Sequence, residues 1–374
     1  MPTEKLQKKI EFIASLVAPI LEFHITGLDI SDLSMKYLSF NRAKKNKITI
    51  GTYGEIAYPA GIITSGEVKD EEKLTDILKQ WFAKERKKLP SPFVVLSLPE
   101  EKSFIRAVQI PRIKSEDVAN VIRWEIENQI PLPLEDVIYD YEVIESPNDN
   151  QDHLDVIITA FPRNILSAYI RVIKGAGLEP YAIELESQSI IRACVSQLYN
   201  SEPSIVIDMG RTRTSFVIFA QGSILYTSTI EAGGAMFEEY IMKQLTISAE
   251  EAAQIKINIG LDKTQRNGEV FAALAPVITI ISDELVRAMS YYLTHATHAH
   301  GATSSIERVL ISGGDGNLRG LDTYLTSVLR IPVERADPFS IIRGKLAYDI
   351  PPLTKREALS FATAIGLALR EIRY

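Results

Sequence analysis

The sequence predicts an α/β protein of two lobes around one shared cleft, with a small α+β module inserted in the first lobe. Three observations carry that expectation. First, "GLDISDLSMKY" and "VIDMGRTRTSF" repeat one pattern: an apolar strand ending in aspartate, a tight polar turn, and a second strand. Asp29 and Asp208 are 208 − 29 = 179 residues apart. Second, a β-β-α-β-β-α order fills Phe93 to about Gly177, the size of a compact α+β unit. Third, a mostly helical stretch from Phe237 to about His300 precedes "VLISGGDGNLRGL", a buried strand that delivers glycines to a turn.

The whole chain bounds the function. Its 374 residues, 46% hydrophobic and 24% charged, are globular in composition and enough for two or three domains. A net charge of −7 argues against nucleic-acid binding by general electrostatic attraction, so no nucleic-acid partner is expected. Cys194 is the only cysteine, which excludes an intrachain disulfide and suits a reducing, cytoplasmic compartment. No apolar run reaches the ~20 residues of a membrane-spanning helix. At the N-terminus, Leu6, Ile10, Ile13, Val17 and Ile20 recur on one helix face, predicting an amphipathic helix within residues 1–24. Glu11 and Glu22 bracket its apolar run and no small-x-small site follows, unlike a signal peptide.

The elements follow in order. "FHITGLDI", "SMKYLSFN" and "KITIGTYGEIAYP" read as strands, and "DEEKLTDILKQWFAKERKKL" as a helix with Asp70 as N-cap and Pro90 and Pro92 beyond its end. Residues 25–92 together with 178–202 form the expected first lobe. In the module at 93–177, "FVVLSLP" and "SFIRAVQIP" are strands, and Ser115–Gln129 is a helix stopped by "IPLP". "VIYDYEVI" and "LDVIITAF" form a hairpin, and "PRNILSAYIRVIKGAG" is a helix that starts at Pro162. "LEPYAIELESQSIIRACVSQLY" reads as strand then helix. "SIVIDMG", "TSFVIFAQG" and "SILYTSTIEAGG" are three strands of a second lobe, at 203–235 and 305–374, around a helical subdomain at 236–304.

Both aspartate hairpins suit phosphate. Backbone N–H groups in such turns face a cleft where they bind phosphate oxygens. The adjoining aspartate suits Mg²⁺, held through water because that ion keeps most of its hydration shell. Gly313, Gly314 and Gly316, with Gly233 and Gly234 in "EAGGAMF", read as turns where a nearby nucleotide leaves no room for Cβ. His295, His298 and His300 match no zinc spacing and read as a histidine-rich helix end. Trp81 and Trp124 read as core residues. No GxSxG, HExxH or GxxxxGK[ST] motif occurs, which removes support for hydrolase, metalloprotease and P-loop readings.

At this point the chain resembles the actin-like (ribonuclease H-like) ATPase superfamily. Within it the nearest likeness is the PilM family of type IV pilus assembly, with the FtsA division proteins as cousins. The echoes include "YPAGIITSGEV", "VVLSLPEEKSFIRAVQIPR", "AFPRNILSAYIRVIKGAGLEP" and "ISAEEAAQIK", and above all "EIENQIPLPLEDVIYDYEV", which looks like the PilM/FtsA-type insert. The resemblance implies an ATP cleft with Mg²⁺. Asp29, Ser31, Ser34 and Lys36 would form its first phosphate turn, and Asp208, Gly210, Thr212 and Thr214 its second. Lys256 would approach the adenosine, which Gly313, Gly314, Gly316 and Asn317 would cradle. Asp29 and Asp208 would orient hydrated magnesium; Glu184 reads either as the residue that orients a catalytic water or as a structural acid. One departure stands out: the family's DxG is Asp29-Ile30-Ser31 here, followed by Asp32. A lost glycine and an added carboxylate work against hydrolysis more than against binding, so any ATPase activity would be weak. The resemblance also implies a cytoplasmic protein peripheral to the inner membrane, serving the pilus assembly machinery. Its partner would be the N-terminal cytoplasmic peptide of a PilN-like inner-membrane protein; self-association is left open. The alternatives are a small-molecule kinase of the superfamily, for which no base aspartate can be assigned, and a nucleotide-independent scaffold.

Overall fold

The computed structural model describes residues 25–43, 47–144, 153–195, 202–220, 222–295, 305–347 and 350–372. The expected N-terminal helix, His298 and His300 lie outside them.

Two five-stranded sheets form the frame, beside a two-stranded ribbon of β4, Ile63–Thr64, and β5, Glu67–Val68. The first has the order β10-β6-β1-β2-β3, from Glu179–Leu185, Phe93–Leu98, Thr26–Ile30, Ser34–Arg42 and Ile48–Ala57. The second has the order β13-β12-β11-β14-β15, from Ser223–Ile230, Thr214–Ala220, Ser204–Met209, Arg308–Ser312 and Val333–Arg335. In each, the aspartate strand pairs antiparallel with the next strand and parallel with a later one, β1 with β6 and β11 with β14. The two sheets are thus one plan used twice. Parallel pairing needs a crossover connection: the segment that carries the helix Glu71–Glu85 supplies it between β1 and β6, and the helical subdomain supplies it between β11 and β14.

Helix α1, Glu71–Glu85, starts where Asp70 accepts from the Lys73 N–H at 2.9 Å, the expected N-cap. Three further strands, β7 at Phe104–Pro111, β8 at Val137–Ile144 and β9 at His153–Pro162, make a sheet of order β7-β9-β8. Helix α2, Ser115–Gln129, buries Val118, Ile122 and Ile126 against it. Trp124 departs from expectation: it is 62% exposed on the outer face of α2, because the face toward the sheet is already taken by those aliphatics.

The module is smaller than the expected 93–177. Strand β6 sits inside the first sheet, and helix α3, Arg163–Gly175, buries Ile165, Leu166, Tyr169, Val172 and Ile173 in the first lobe's core beside Leu74 and Trp81. Each large aliphatic side chain so buried contributes about 2 kcal/mol. What stands apart is β7, α2, β8 and β9.

Helix α4, Glu186–Cys194, follows β10 without a break. In the second lobe α5, Gly234–Leu245, α6, Ala249–Asn258, and α7, Glu269–His295, cover one face of the second sheet. Helix α8, Leu321–Leu329, leads to β15, and α9, Lys355–Ser360, to α10, Ala362–Leu369. The last element departs from the expected second lobe: α10 lies under the first sheet and against α4. A Cβ on Gly27 would meet the Ala364 carbonyl at 2.3 Å, and one on Gly366 the Ser189 carbonyl at 1.9 Å. Through α4 and α10 the two lobes share one hydrophobic core, from Leu38 and Phe40 to Leu310 and Phe339. None of the described helices is long and apolar enough to cross a membrane.

Candidate functional site

The two aspartate turns superpose in their bonding. Ser31 N–H donates to the Ser34 carbonyl and Gly210 N–H to the Arg213 carbonyl, both at 2.9 Å and with the same 179-residue offset. Strand register sets Lys36 opposite Asp29 and Ser215 opposite Asp208. Both turns, with Gly313 and Gly314, line one cleft of about 580 Å³.

Each aspartate has a serine beside it on the neighbouring parallel strand. Ser97 Oγ of β6 donates to Asp29 Oδ1 at 3.0 Å. Ser312 on β14 stands opposite Asp208 in the strand register, and its hydroxyl moderates the rise in that second carboxyl's pKa. Burial pushes the Asp29 carboxyl up, against the pull of the Lys36 ammonium. Burial, then the charge of Asp29, lifts Asp208 to about 6. Among the described residues no three His, Cys, Asp or Glu side chains converge on a point a metal ion could occupy. A cation between these aspartates would therefore be held through its water shell, the habit of magnesium.

Of the expected nucleotide residues, Asp29, Ser31, Ser34, Lys36, Asp208, Gly210, Thr212, Gly313 and Gly314 line the cleft. Six others do not. Thr214 is fully buried and donates to the Ala232 carbonyl at 2.6 Å. The 179-residue offset explains it: Thr214 matches core-facing Met35, while Arg213 and Ser215 match cleft-facing Ser34 and Lys36. Lys256 is bound at 2.7 Å to Glu238, at 2.6 Å to Asp315 and at 3.4 Å to the Gly234 carbonyl, which uses its three donors. Asn317 ties the Gly314 and Arg356 carbonyls together.

Gly233, Gly234 and Gly316 are required by protein, not by an approaching ligand. A Cβ would meet the Gly210 carbonyl at 2.5 Å, the Asp315 carboxylate at 2.0 Å and Ile311 Cγ2 at 2.6 Å, respectively. Gly313 shares that reason, with φ +82° and Met209 O 2.3 Å from its would-be Cβ. These glycines let the turns press on one another and so shape the cleft floor.

Glu184 is likewise not in the cleft. Its buried carboxylate takes Arg192 at 2.5 and 2.9 Å and also pairs with Arg370. Glu186, two residues on, lines the cleft instead, because the chain turns into α4 there. Burial, then Glu101, Asp29 and Asp208, raises the Glu186 carboxyl well above the usual carboxylate range. Sequence reading also missed Ser97, Ser312, Glu101 and Arg213. Only the two serines left a signal, each closing a strand run as "VVLSLP" and "VLISGG" do.

A second concavity, of about 300 Å³, lies between the module and the first lobe. It is lined by Ile138, Tyr139 and Tyr141 of β8 and by Ile183 and Leu185 of β10, each the edge strand of its sheet.

Comparison with known proteins now decides the family. The family model for the type IV pilus assembly protein PilM matches residues 27–372. The chain belongs to the PilM family. Its fold is shared with the solved PilM–PilN type IV pilus biogenesis complex, with a TM-score of 0.75 and 22% identity over 94% of this chain and 99% of that one. MreB5 of Spiroplasma citri bound to ADP has a TM-score of 0.54 and 14% identity over 91% of this chain and 94% of that one. The cell shape-determining protein Mbl of Bacillus subtilis is 26% identical over 270 residues, 60% of this chain and 80% of Mbl. This PilM-family chain therefore has the two-lobed actin-like ATPase fold with the inserted α+β module.

Proposed function

We propose that the protein is a cytoplasmic, ATP-binding adaptor of type IV pilus assembly that docks the N-terminal tail of a PilN-like inner-membrane protein and responds to ATP. The observation that carries the nucleotide part is the pair of matched turns whose aspartates, each with a serine beside it on the next parallel strand, border one cleft. Buried carboxylates pushed upward in pKa mark a hollow that a cation would discharge. When bound, magnesium would neutralise phosphate charge there. Asp29 and Asp208 would orient its waters, Lys36 would supply a cation to the phosphates, and the backbone N–H groups of the turns would donate to phosphate oxygens. Glu186, which lines the cleft where Glu184 does not, is the carboxyl this reading assigns to orienting a water. ADP in the MreB5 neighbour supports the same ligand class.

The docking part rests on the groove between β8 and β10, where an extended tail adds to an open sheet edge while Ile138, Tyr141 and Leu185 offer side-chain pockets. The PilM–PilN type IV pilus biogenesis complex, whose fold this chain shares, supports a partner of that kind. Titration with a fluorescent ATP analogue and Mg²⁺ tests the first part; absence of saturation at millimolar nucleotide leaves a nucleotide-independent scaffold. Capture by the synthetic PilN-like tail tests the second. Tyr141→Ala is expected to weaken capture at least tenfold, about 1.4 kcal/mol, and unchanged capture contradicts this groove.

A further inference from the structure

Arg213 stands in the second phosphate turn, yet its partners belong to the first lobe. Its Nη2 donates to Asp32 Oδ2 at 2.6 Å, and its Nη1 pairs with Glu101. Asp32 is itself fixed by the Ser65 N–H at 3.2 Å and the Gly66 N–H at 3.0 Å. Glu101 comes from the turn between β6 and β7. One guanidinium thus bridges two carboxylates across the cleft that all three residues line. The side chains of Arg213, Asp32 and Glu101 are only 17, 12 and 16% exposed, so solvent screens them less than surface pairs.

We infer that Arg213 is an interlobe latch: it ties the lobes across the cleft when no ligand is bound, and the phosphates of an incoming di- or triphosphate release it by taking the guanidinium from Asp32 and Glu101. A phosphate presents the paired oxygens that a guanidinium fork binds, as a carboxylate does. The remaining cleft carboxylates, Asp29, Glu55, Glu186, Asp208 and Asp315, disfavour a phosphate that lacks its cation, so attraction falls to the three lining cations, Arg213, Lys36 and Arg211, of which Arg211 is already paired with Glu238. The added carboxylate of the first turn, at Asp32, is in this view neutralised by the latch and is not a bare charge facing phosphate. The identity of the ligand rests on the nucleotide reading above; the ligand-free latch does not.

The test is pulsed EPR on the full chain with Cys194→Ala and spin labels at Lys79→Cys on α1 and Gln244→Cys on α5. Ligand-free protein is expected to give one narrow distance distribution, and Arg213→Gln a broader one extending to longer distances. Asp32→Asn with Glu101→Gln should reproduce the Arg213→Gln distribution, and all three changes together should add nothing. Arg213→Lys, which keeps one ion pair, guards against a folding defect and should give an intermediate distribution. A folded Arg213→Gln protein with the wild-type distribution overturns the latch. Magnesium tripolyphosphate is then expected to shift the wild type but not Arg213→Gln; an equal shift in both, or none in either, overturns the competition. Failure of the nucleotide reading alone would appear as ligand-free distances behaving as described with no saturable ATP binding.

Discussion

Ser97 Oγ donates to Asp29 Oδ1 at 3.0 Å, from a strand 68 residues further along the chain. That bond sets the direction of the first cleft aspartate, and Ser312 occupies the matching register position beside the second. Ser97→Ala is expected to cost about 1 kcal/mol of stability, the worth of one hydrogen bond to a buried group. It should also weaken magnesium-dependent nucleotide binding by about fivefold, or about 1 kcal/mol. Urea melts and nucleotide titration of the variant check both; wild-type affinity would separate the serine from the site.

Asp208 predicts a pH dependence with a definite sign. Its folded value is near 6 against 3.8 for the free side chain, so between those values the native state binds more protons than the unfolded chain. Stability from this group is full below about pH 4 and is lost as pH rises to 6. Asp208→Asn should therefore stabilise the ligand-free protein by about 3 kcal/mol above pH 6, and by almost nothing near pH 4. Denaturant melts of both proteins at the two pH values decide; a gain equal at both would contradict the cause given.

Glu184 and Glu186 separate structure from chemistry. Glu184→Gln leaves Arg192 and Arg370 without their buried acceptor, an expected loss of about 3 kcal/mol. Glu186→Gln removes a carboxyl that burial already disfavours in its charged form, so stability should hold or rise while any ATP turnover falls. Thermal melts alongside phosphate release check the pair, and the reverse pattern would return the water-orienting role to Glu184.

Gly234→Ala puts a methyl 2.0 Å from the Asp315 carboxylate, within the Lys256 and Glu238 ion network. A loss of about 2 kcal/mol or more is expected from the displaced network. Trp124→Ser, on the open face of α2, should stay within about 0.5 kcal/mol of wild type. Equal losses for the two would show that the packing described for either residue is mistaken.

Local pattern carried much of this fold. The helix Ser115–Gln129, strand Val137–Ile144 and cap at Asp70 have their predicted bounds, because breakers, alternation and caps are local signals. The duplicated aspartate turn was legible for the same reason. What the sequence did not disclose is set by long-range pairing. β6 and α3 read as parts of the module because they adjoin it in the chain, yet their apolar faces are buried in the first lobe. Thr214 and Ser215 differ by one step of a period-2 strand, and only the sheet register says which faces the cleft. The engagement of Lys256 by Asp315, and of Arg213 by Asp32, joins residues 59 and 181 positions apart, which leaves no local trace.

Calorimetric titration of the full chain with Mg²⁺-ATP, beside Asp29→Asn and Asp208→Asn, tests the shared cleft most directly. Saturable binding in the wild type, weakened at least tenfold, about 1.4 kcal/mol, by either substitution, is predicted. No saturation in the wild type, or wild-type affinity in both variants, would contradict it.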